Sequence, residues 1–468
     1  MNWRTIFLSL KNRDMQKRLA VVIGLIIIYR FIAHVPVPIA EGAALKQVIS
    51  SVLSSSSFGG FLNLLSGGAL ASLSIVLVGL SPYITASIIM QLLTKAIPRL
   101  EELHKDGESG RRKITQWTRM IAVPLAIIQS IALIFILRQT ILAGNTAILA
   151  NPTPFQWLVT ITAMTAGAIL LMWFGELITE QGIGNGISLL IFAGIISQLP
   201  NTLGTIISSL ADGTHPLHVF NWFTVPINST AFIVTLSVAI LGLIILYILV
   251  KINEAQRIIT INYAKRVQGN SAYGGVKSIL PVKLITAGVI PVIFAVSFLS
   301  LPAALGQVLK ATNNVQFAGL AKNLIAWFQA PQAGSFTGST LEAFIYPLVY
   351  FILVVLFTYF YTGIAFNSAE ISENLQQQGG FVEGVRPGIQ TEKYLSRTVN
   401  RLTLFGALAL GIIAIMPFAI EYVFARFGIT AANLAIGGTG LLIVVSVGLE
   451  SLRQINSRAL MVTYDDYK

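Results

Sequence analysis

Four histidines, His34, His104, His215 and His218, are the residues from which a catalytic or metal-binding reading would have to start. They are scattered, and the run HPLH at 215–218 supplies two ligands where a metal site needs more. The chain has no cysteine, so thiolate metal sites and disulfides are unavailable. No nucleophile stands beside a base, and no phosphate-binding loop is present. Gly184-Asn185-Gly186 lacks the preceding strand that a dinucleotide site requires. Ionisable side chains are nearly absent from the middles of the apolar segments, which counts against a proton- or ion-coupled carrier. Arg30 lies close enough to the end of the first apolar segment to snorkel. What remains is aliphatic: Leu80 and Ile84 stand four residues apart, as do Ile187 and Ile191, so each pair shares one helix face. A closed ring of such side chains blocks ions by dewetting, without any charge. The same spacing also serves ordinary packing against lipid or a neighbouring helix.

The elements that would carry these residues are membrane spans. Of the 468 residues, 54% are hydrophobic and 11% charged, and the mean hydropathy is +0.76, which points to a polytopic membrane protein. Apolar segments of spanning length run over Leu19–Val35, Val76–Ile97, Thr115–Leu137, Phe155–Phe174, Ile183–Leu199, Ala231–Val250, Leu284–Leu301, Ala343–Phe366, Leu402–Ile420 and Leu434–Leu452. The net charge of +12 is unevenly spread: 25 of the 31 Lys and Arg fall on the side of the two termini, five on the other, and Arg30 within the first span. Both termini are therefore expected in the cytoplasm. The connection Gly175–Gly182, with Glu176 and Glu180, is an exception to that rule. The first span reads as an uncleaved helix, preceded by an interfacial stripe of Trp3, Ile6, Phe7 and Leu10.

Three features suggest a pathway. Phe58–Thr94 is apolar but too long for one span, and its first part, Leu62–Ser74, is broken at Ser66, Gly67 and Gly68. Non-helical backbone at membrane depth needs protein or a water-filled cavity around it, so Leu62–Ser74 is expected to be a plug. Second, the pattern GxxPxI occurs at Gly79–Ile84 and again at Gly288–Ile293, in the second span of each set of five. Gly/Pro-interrupted segments at corresponding positions mark the pathway of repeat-built transporters, and an odd number of spans per half makes the repeat inverted. Third, Lys251–Lys283 and Asn367–Arg401 are long, basic connections. Ile258–Ile261 has strand character, Gln268–Gly275 turn character, and Gly384 to Gly388 would hold Arg386 at a tight tip. These loops suit docking posts for a cytoplasmic partner, or solvated loops that merely obey the positive-inside rule.

At LSGGAL (65–70), SPYITASIIMQLL (81–93), DGESGRRKITQ (106–116), GELITEQGIGNGISLLIFAGI (175–195), NYAKR (262–266), AGVIPVIFA (287–295), GVRPG (384–388) and GGTGLLIVV (437–445), the chain closely resembles the SecY/Sec61-alpha family. The resemblance implies an all-α polytopic membrane protein. Ten transmembrane helices would form two inverted pseudo-symmetric halves, 1–215 and 216–468, around an hourglass channel with a plug. It implies a passive conduit, not an enzyme, and no cofactor or metal. Unfolded secretory polypeptides would pass across, and membrane-protein helices sideways into, the bacterial cytoplasmic membrane. By motif the pore ring falls on Leu80, Ile84, Ile187, Ile191, Ile293 and Ile443, and the plug includes Leu62, Leu65, Gly67, Gly68, Leu70 and Leu73. The lateral gate, between the second and seventh spans, falls on Thr85, Gln91, Gln129, Thr286 and Ser297. Arg257, Lys265, Arg266 and Arg386 would dock the SecA motor or the ribosome. SecE and SecG would be partner subunits, and signal peptides, nascent chains and the lipid bilayer the things handled. There are two departures. Many members carry a second Arg where this chain has Ile258, and an Asn where it has Ile285, which is expected to weaken one docking contact and alter the gate's opening threshold.

Overall fold

The computed structural model describes residues 12–37, 69, 73–144, 154–211, 216–219, 223–263, 266–268, 271–273, 277–311, 315–331, 342–426 and 434–465. Helices dominate. The first half contains α1 (Arg13–Ile32), α2 (Ser81–Ala96), α3 (Pro98–Lys105), α4 (Gly107–Gly144), α5 (Pro154–Gln181) and α6 (Gly186–Ala211). The second contains α7 (Ser229–Glu254), α8 (Ile290–Ala311), α9 (Val315–Phe328), α10 (Glu342–Ala365), α11 (Ser368–Gln377), α12 (Ile389–Arg426) and α13 (Leu434–Asp465). Among the described residues seven helices are long and apolar enough to cross a membrane: α4, α5, α6, α7, α8, α10 and α12. The three other expected spans also fall on helices. Of these, α1 carries Asp14, Lys17, Arg18 and Arg30, and α2 has only 16 residues, about 24 Å of helix against a hydrocarbon core of about 30 Å.

Several boundaries differ from expectation for identifiable reasons. Val76–Ile97 and Leu284–Leu301 each begin as a turn, because Gly79 and Gly288 adopt left-handed conformations (φ +62° and +63°). Gly175–Gln181 is not a connection but the end of α5, whose Glu176 accepts from Arg119 of α4 at 2.7 Å. That ion pair accounts for a carboxylate at the basic end of the bundle. The connection Asn367–Arg401 is mostly ordered: α11, capped by the Asn367 side chain, then a short strand, then the opening turns of α12.

The long basic connections meet in one sheet. Strands β1 (Pro216–Val219) and β2 (Phe223–Asn228) pair at the opposite end, and β3 (Gln256–Tyr263), β4 (Arg266–Gln268), β5 (Ser271–Tyr273), β6 (Lys277–Lys283) and β7 (Gly380–Val382) lie at the basic end. The sheet order is β6-β3-β7, with both pairings antiparallel and Ile261 opposite Val382. Alternation along β3 buries Ile259 and Ile261 and exposes Ile258. The buried face packs with Leu395 and Val399 of α12 in a small core. A separate, larger core runs through the bundle from α1 to α13.

Candidate functional site

The site is built from two copies of one turn. In the first copy the chain leaves α1, and the Val37 amide donates to the Leu73 carbonyl (2.8 Å) while the Ser74 hydroxyl donates to the Ile32 carbonyl (2.8 Å). It then turns at Gly79 and starts α2 at Ser81 with Pro82 in the first turn, where its missing N–H costs nothing. In the second copy the chain leaves β6, and the Leu284 amide donates to the Ala255 carbonyl (2.9 Å). It turns at Gly288 and starts α8 at Ile290, again with a proline at the second helical position. Each lead-in is held by a helix glycine: an added Cβ on Gly167 of α5 would strike the Ile75 carbonyl, and one on Gly406 of α12 would strike the Leu284 carbonyl. Ile75 and Leu284 both lie four residues before their left-handed glycine. The repeat therefore extends beyond three letters of sequence, to backbone conformation and to the helix packed against it.

The turns deliver Leu80 and Ile84 from one side and Ile293 from the other. The loop before α6 does the same for the next pair: Gly182 and Gly184 take positive φ, and Asn185 accepts from the amides of Ile187 and Ser188. With Ile443 of α13, these residues all reach the main apolar core. Leu80, Ile84, Ile191, Ile293 and Ile443 are all buried in one cluster, and Ile187 packs against it half-buried. The six expected ring residues thus come from four elements and belong to, or border, one apolar core, with no ionisable side chain among them.

At the expected gate, α8 touches both α2 and α4. Thr85 is buried and donates to the Ser81 carbonyl, Ser297 is buried with its hydroxyl unpartnered, and half-buried Thr286 donates to Lys283 O at 3.4 Å. Gln91 donates to Ser87 on its own helix and leaves Oε1 buried without a partner. Gln91 makes no hydrogen bond to Gln129 among the described residues. Ala86 and Ala122 share one packed cluster where α2 meets α4. Ile285, at one of the departures, is buried in the main core.

Of the expected plug, Leu62, Leu65, Gly67, Gly68 and Leu70 lie outside the described residues, and Leu73 is a non-glycine residue at φ +44°. Of the expected docking residues, Lys265 lies outside them too, and Arg266 is described only as part of β4. Arg257 stands on β3. Arg386 follows β7 between the left-handed Gly384 and Gly388, its carbonyl accepting from Thr391 Oγ1 at 2.9 Å. The strand pairing places both arginines on one platform. His218 lies in β1, His215 falls outside the described residues, and no cluster of three metal-ligating side chains occurs among those described.

Three features were not anticipated from sequence. Helix α9 folds back on α8 at Gly306. Arg119 bonds Glu176, and Glu421 near the end of α12 is 3% exposed with Oε2 unpartnered. The Glu421 signal was a single acid just past the expected end of an apolar segment.

Comparison with known proteins decides the family. The SecY family model matches residues 74–452. The chain belongs to the SecY family. It is 38% identical over 98% of both chains to the protein translocase subunit SecY of Streptomyces scabiei, and equally similar, at the same coverage, to those of Corynebacterium glutamicum and Mycobacterium tuberculosis. Among solved structures it resembles a protein conducting channel (TM-score 0.59, 19% identity, covering 94% of this chain and 91% of that one). It also resembles Sec61 in the canine ribosome–channel complex from the endoplasmic reticulum (TM-score 0.55, 19% identity, 94% and 91%). These structures share the fold. As a SecY-family chain with several apolar helices of spanning length, the protein is a polytopic membrane protein.

Proposed function

We propose that this chain is the pore subunit of a bacterial protein translocase, passing unfolded polypeptide across the cytoplasmic membrane and releasing hydrophobic helices sideways into it. The observation that carries this reading is that two copies of one turn lead Leu80, Ile84 and Ile293 into the same apolar core that Ile191 and Ile443 occupy and Ile187 borders, an arrangement we read as a ring, in a chain whose relatives are translocase subunits. Such a ring seals around a chain of any sequence and blocks ions when empty. The basic end, where the sheet lies, faces the cytoplasm together with both termini, following the positive-inside rule. Arg257, Lys265, Arg266 and Arg386 there contact the SecA motor or the ribosome, which supplies the energy. SecE and SecG complete the complex, and the halves 1–215 and 216–468 part along α2 and α8 to admit a signal peptide. The plug, about 62–74, closes the resting pore. Ile258 faces outward beside Arg257, so it offers a partner no charge at that position.

The test is reconstitution of the chain with its partner subunits in vesicles, adding motor, nucleotide and a secretory precursor. Protease-protected precursor inside the vesicles is the expected result, with a rise in ion conductance after deletion of 62–74. A complete complex that protects no precursor contradicts the reading.

A further inference from the structure

The sheet that carries Arg257 hangs from the bundle by two stems. One runs from the end of α7 at Glu254 into β3 at Gln256, and the other from Lys283 at the end of β6 into the lead-in of α8. The Leu284 amide, bonded to the Ala255 carbonyl at 2.9 Å, ties the stems to each other. Both are also held by a third element, α13. Arg453 donates through Nη2 to the Asn253 carbonyl (2.8 Å) and through Nη1 to Asn253 Oδ1 (3.2 Å). That carbonyl is among the last four of α7, which lack a partner in their own helix, and a cation there also meets the negative end of the helix dipole.

One turn before Arg453, on the same side of α13, Glu450 meets the other stem. An added Cβ on Gly288 would have Glu450 Oε2 as its nearest neighbour, at 3.7 Å, and the Glu450 charge acts on both Lys283 and Arg453. Burial presses the Lys283 ammonium below the usual lysine range, Arg453 adds to that, and Glu450 opposes it. No direct ion pair joins Glu450 to Lys283 among the described residues, so the hold is electrostatic and tolerates small displacements of the stem. The same helix carries Ile443, seven residues before Glu450, hence on the same face and about 10 Å away along the axis. Ile443 and Val447 are buried in the main core. Helix α12 also touches the sheet, through Leu395 and Val399, but carries none of the six expected ring residues. We infer that Glu450 and Arg453 are positioning residues that make α13 a strut between the sheet and the core, so that a load on the sheet moves Ile443 together with the lead-in of α8. The inference rests on the reading of the chain as a translocase pore with the sheet as its docking platform.

The test reconstitutes the complete complex in vesicles and measures motor affinity and, separately, precursor translocation at saturating motor. In Glu450→Gln the saturated rate is expected to fall about threefold while motor affinity stays that of the parent. Arg453→Gln, which frees the end of α7, lowers the rate in the same way. Glu450→Asp keeps the charge and retains most of the rate, and the swapped pair Glu450→Lys, Lys283→Glu translocates better than either single reversal. A glutamine variant at 450 that translocates like the parent overturns the proposal. So does a loss that the swap leaves unrelieved, which makes Glu450 a merely structural residue. Should the glutamine variants fail to assemble, amide hydrogen exchange in the native complex decides instead: adding the motor is expected to change exchange over 284–289 and 448–455 together. A motor that alters exchange in the sheet and leaves 448–455 unaltered overturns the strut. A parent complex that binds the motor and translocates nothing fails the pore reading itself, and the inference falls with it.

Discussion

The turns at Gly79 and Gly288 have the same backbone but different attachments. Both use a left-handed glycine, a proline in the first helical turn and a carbonyl clasped by a glycine of another helix. The first is tied by hydrogen bonds to the end of α1. The second is entered from the opposite end of the bundle, directly from β6 of the sheet that carries Arg257 and lies beside Arg386. The difference teaches how one inverted device can serve two inputs. Only the six residues between Lys283 and Ile290 separate the sheet from α8, whereas the lead-in to α2 is bonded to the end of α1. On the proposed function, a ring with one turn joined to the sheet and the other to α1 would be open to influence from either side.

The largest effects should come from breaking the two clasps. Gly167→Ala and Gly406→Ala each drive a Cβ into a backbone carbonyl, an overpacking that costs about 1–3 kcal/mol. Thermal unfolding of the purified complex should show comparable losses, adding in the double variant because the sites share no partner. A tolerated Gly406→Ala beside a damaging Gly167→Ala would end the equivalence. Next come the hinges themselves. Gly79→Ala and Gly288→Ala force an L-residue into the left-handed region at about 1–2 kcal/mol. At Gly288 an added Cβ would meet only Glu450 Oε2 at 3.7 Å, so its cost is conformational and Gly288→Asn should recover part of it. If the alanine variant at 288 unfolds like the parent, that backbone is not held as described.

Smaller effects separate the two attachments. Ser74→Ala removes the bond to the Ile32 carbonyl and a longer one from the Val76 amide, a loss of about 1 kcal/mol. It should raise resting ion leak, read as vesicle conductance, without altering motor binding. Unchanged leak would detach the first turn from sealing. The smallest effect lies at His104 on α3. Burial lowers its pKa, with Arg111 and Lys95 adding to the shift and Glu370 opposing it. The native state then binds fewer protons than the unfolded one, so stability is full above the ordinary pKa of 6.5 and declines as pH falls below it. His104→Gln should flatten that decline in unfolding midpoints measured across the range, and an unaltered slope would remove His104 as its source.

Much of the two turns was legible in the sequence because glycine and proline are demanded by backbone conformation, which leaves a local trace. Gly79, Pro82, Gly288 and Pro291 stood out for that reason, and so did the i, i+4 pairs at Leu80 and Ile187. The clasps were not legible. Gly167 and Gly406 are two among 39 glycines, and only tertiary packing distinguishes them. The β3–β7 pairing joins residues about 120 positions apart, beyond any local pattern, although the strand over Ile258–Ile261 was marked by composition. Basic residues disguised the opening of α12 as loop, even though the spacing of Lys393, Arg397 and Arg401 was helical. Gln91 and Gln129 look like a polar pair in sequence, but the hydrogen bond Gln91 makes stays within its own helix, to Ser87.

Site-specific photo-crosslinking from Ile84 and Ile293 to a stalled secretory chain, in vesicles containing the complete complex, tests the central claim most directly. The two positions occupy equivalent places in the repeated turn and the same buried cluster. The account predicts adducts to the translocating chain from both. Translocation that proceeds with neither position labelled would contradict it.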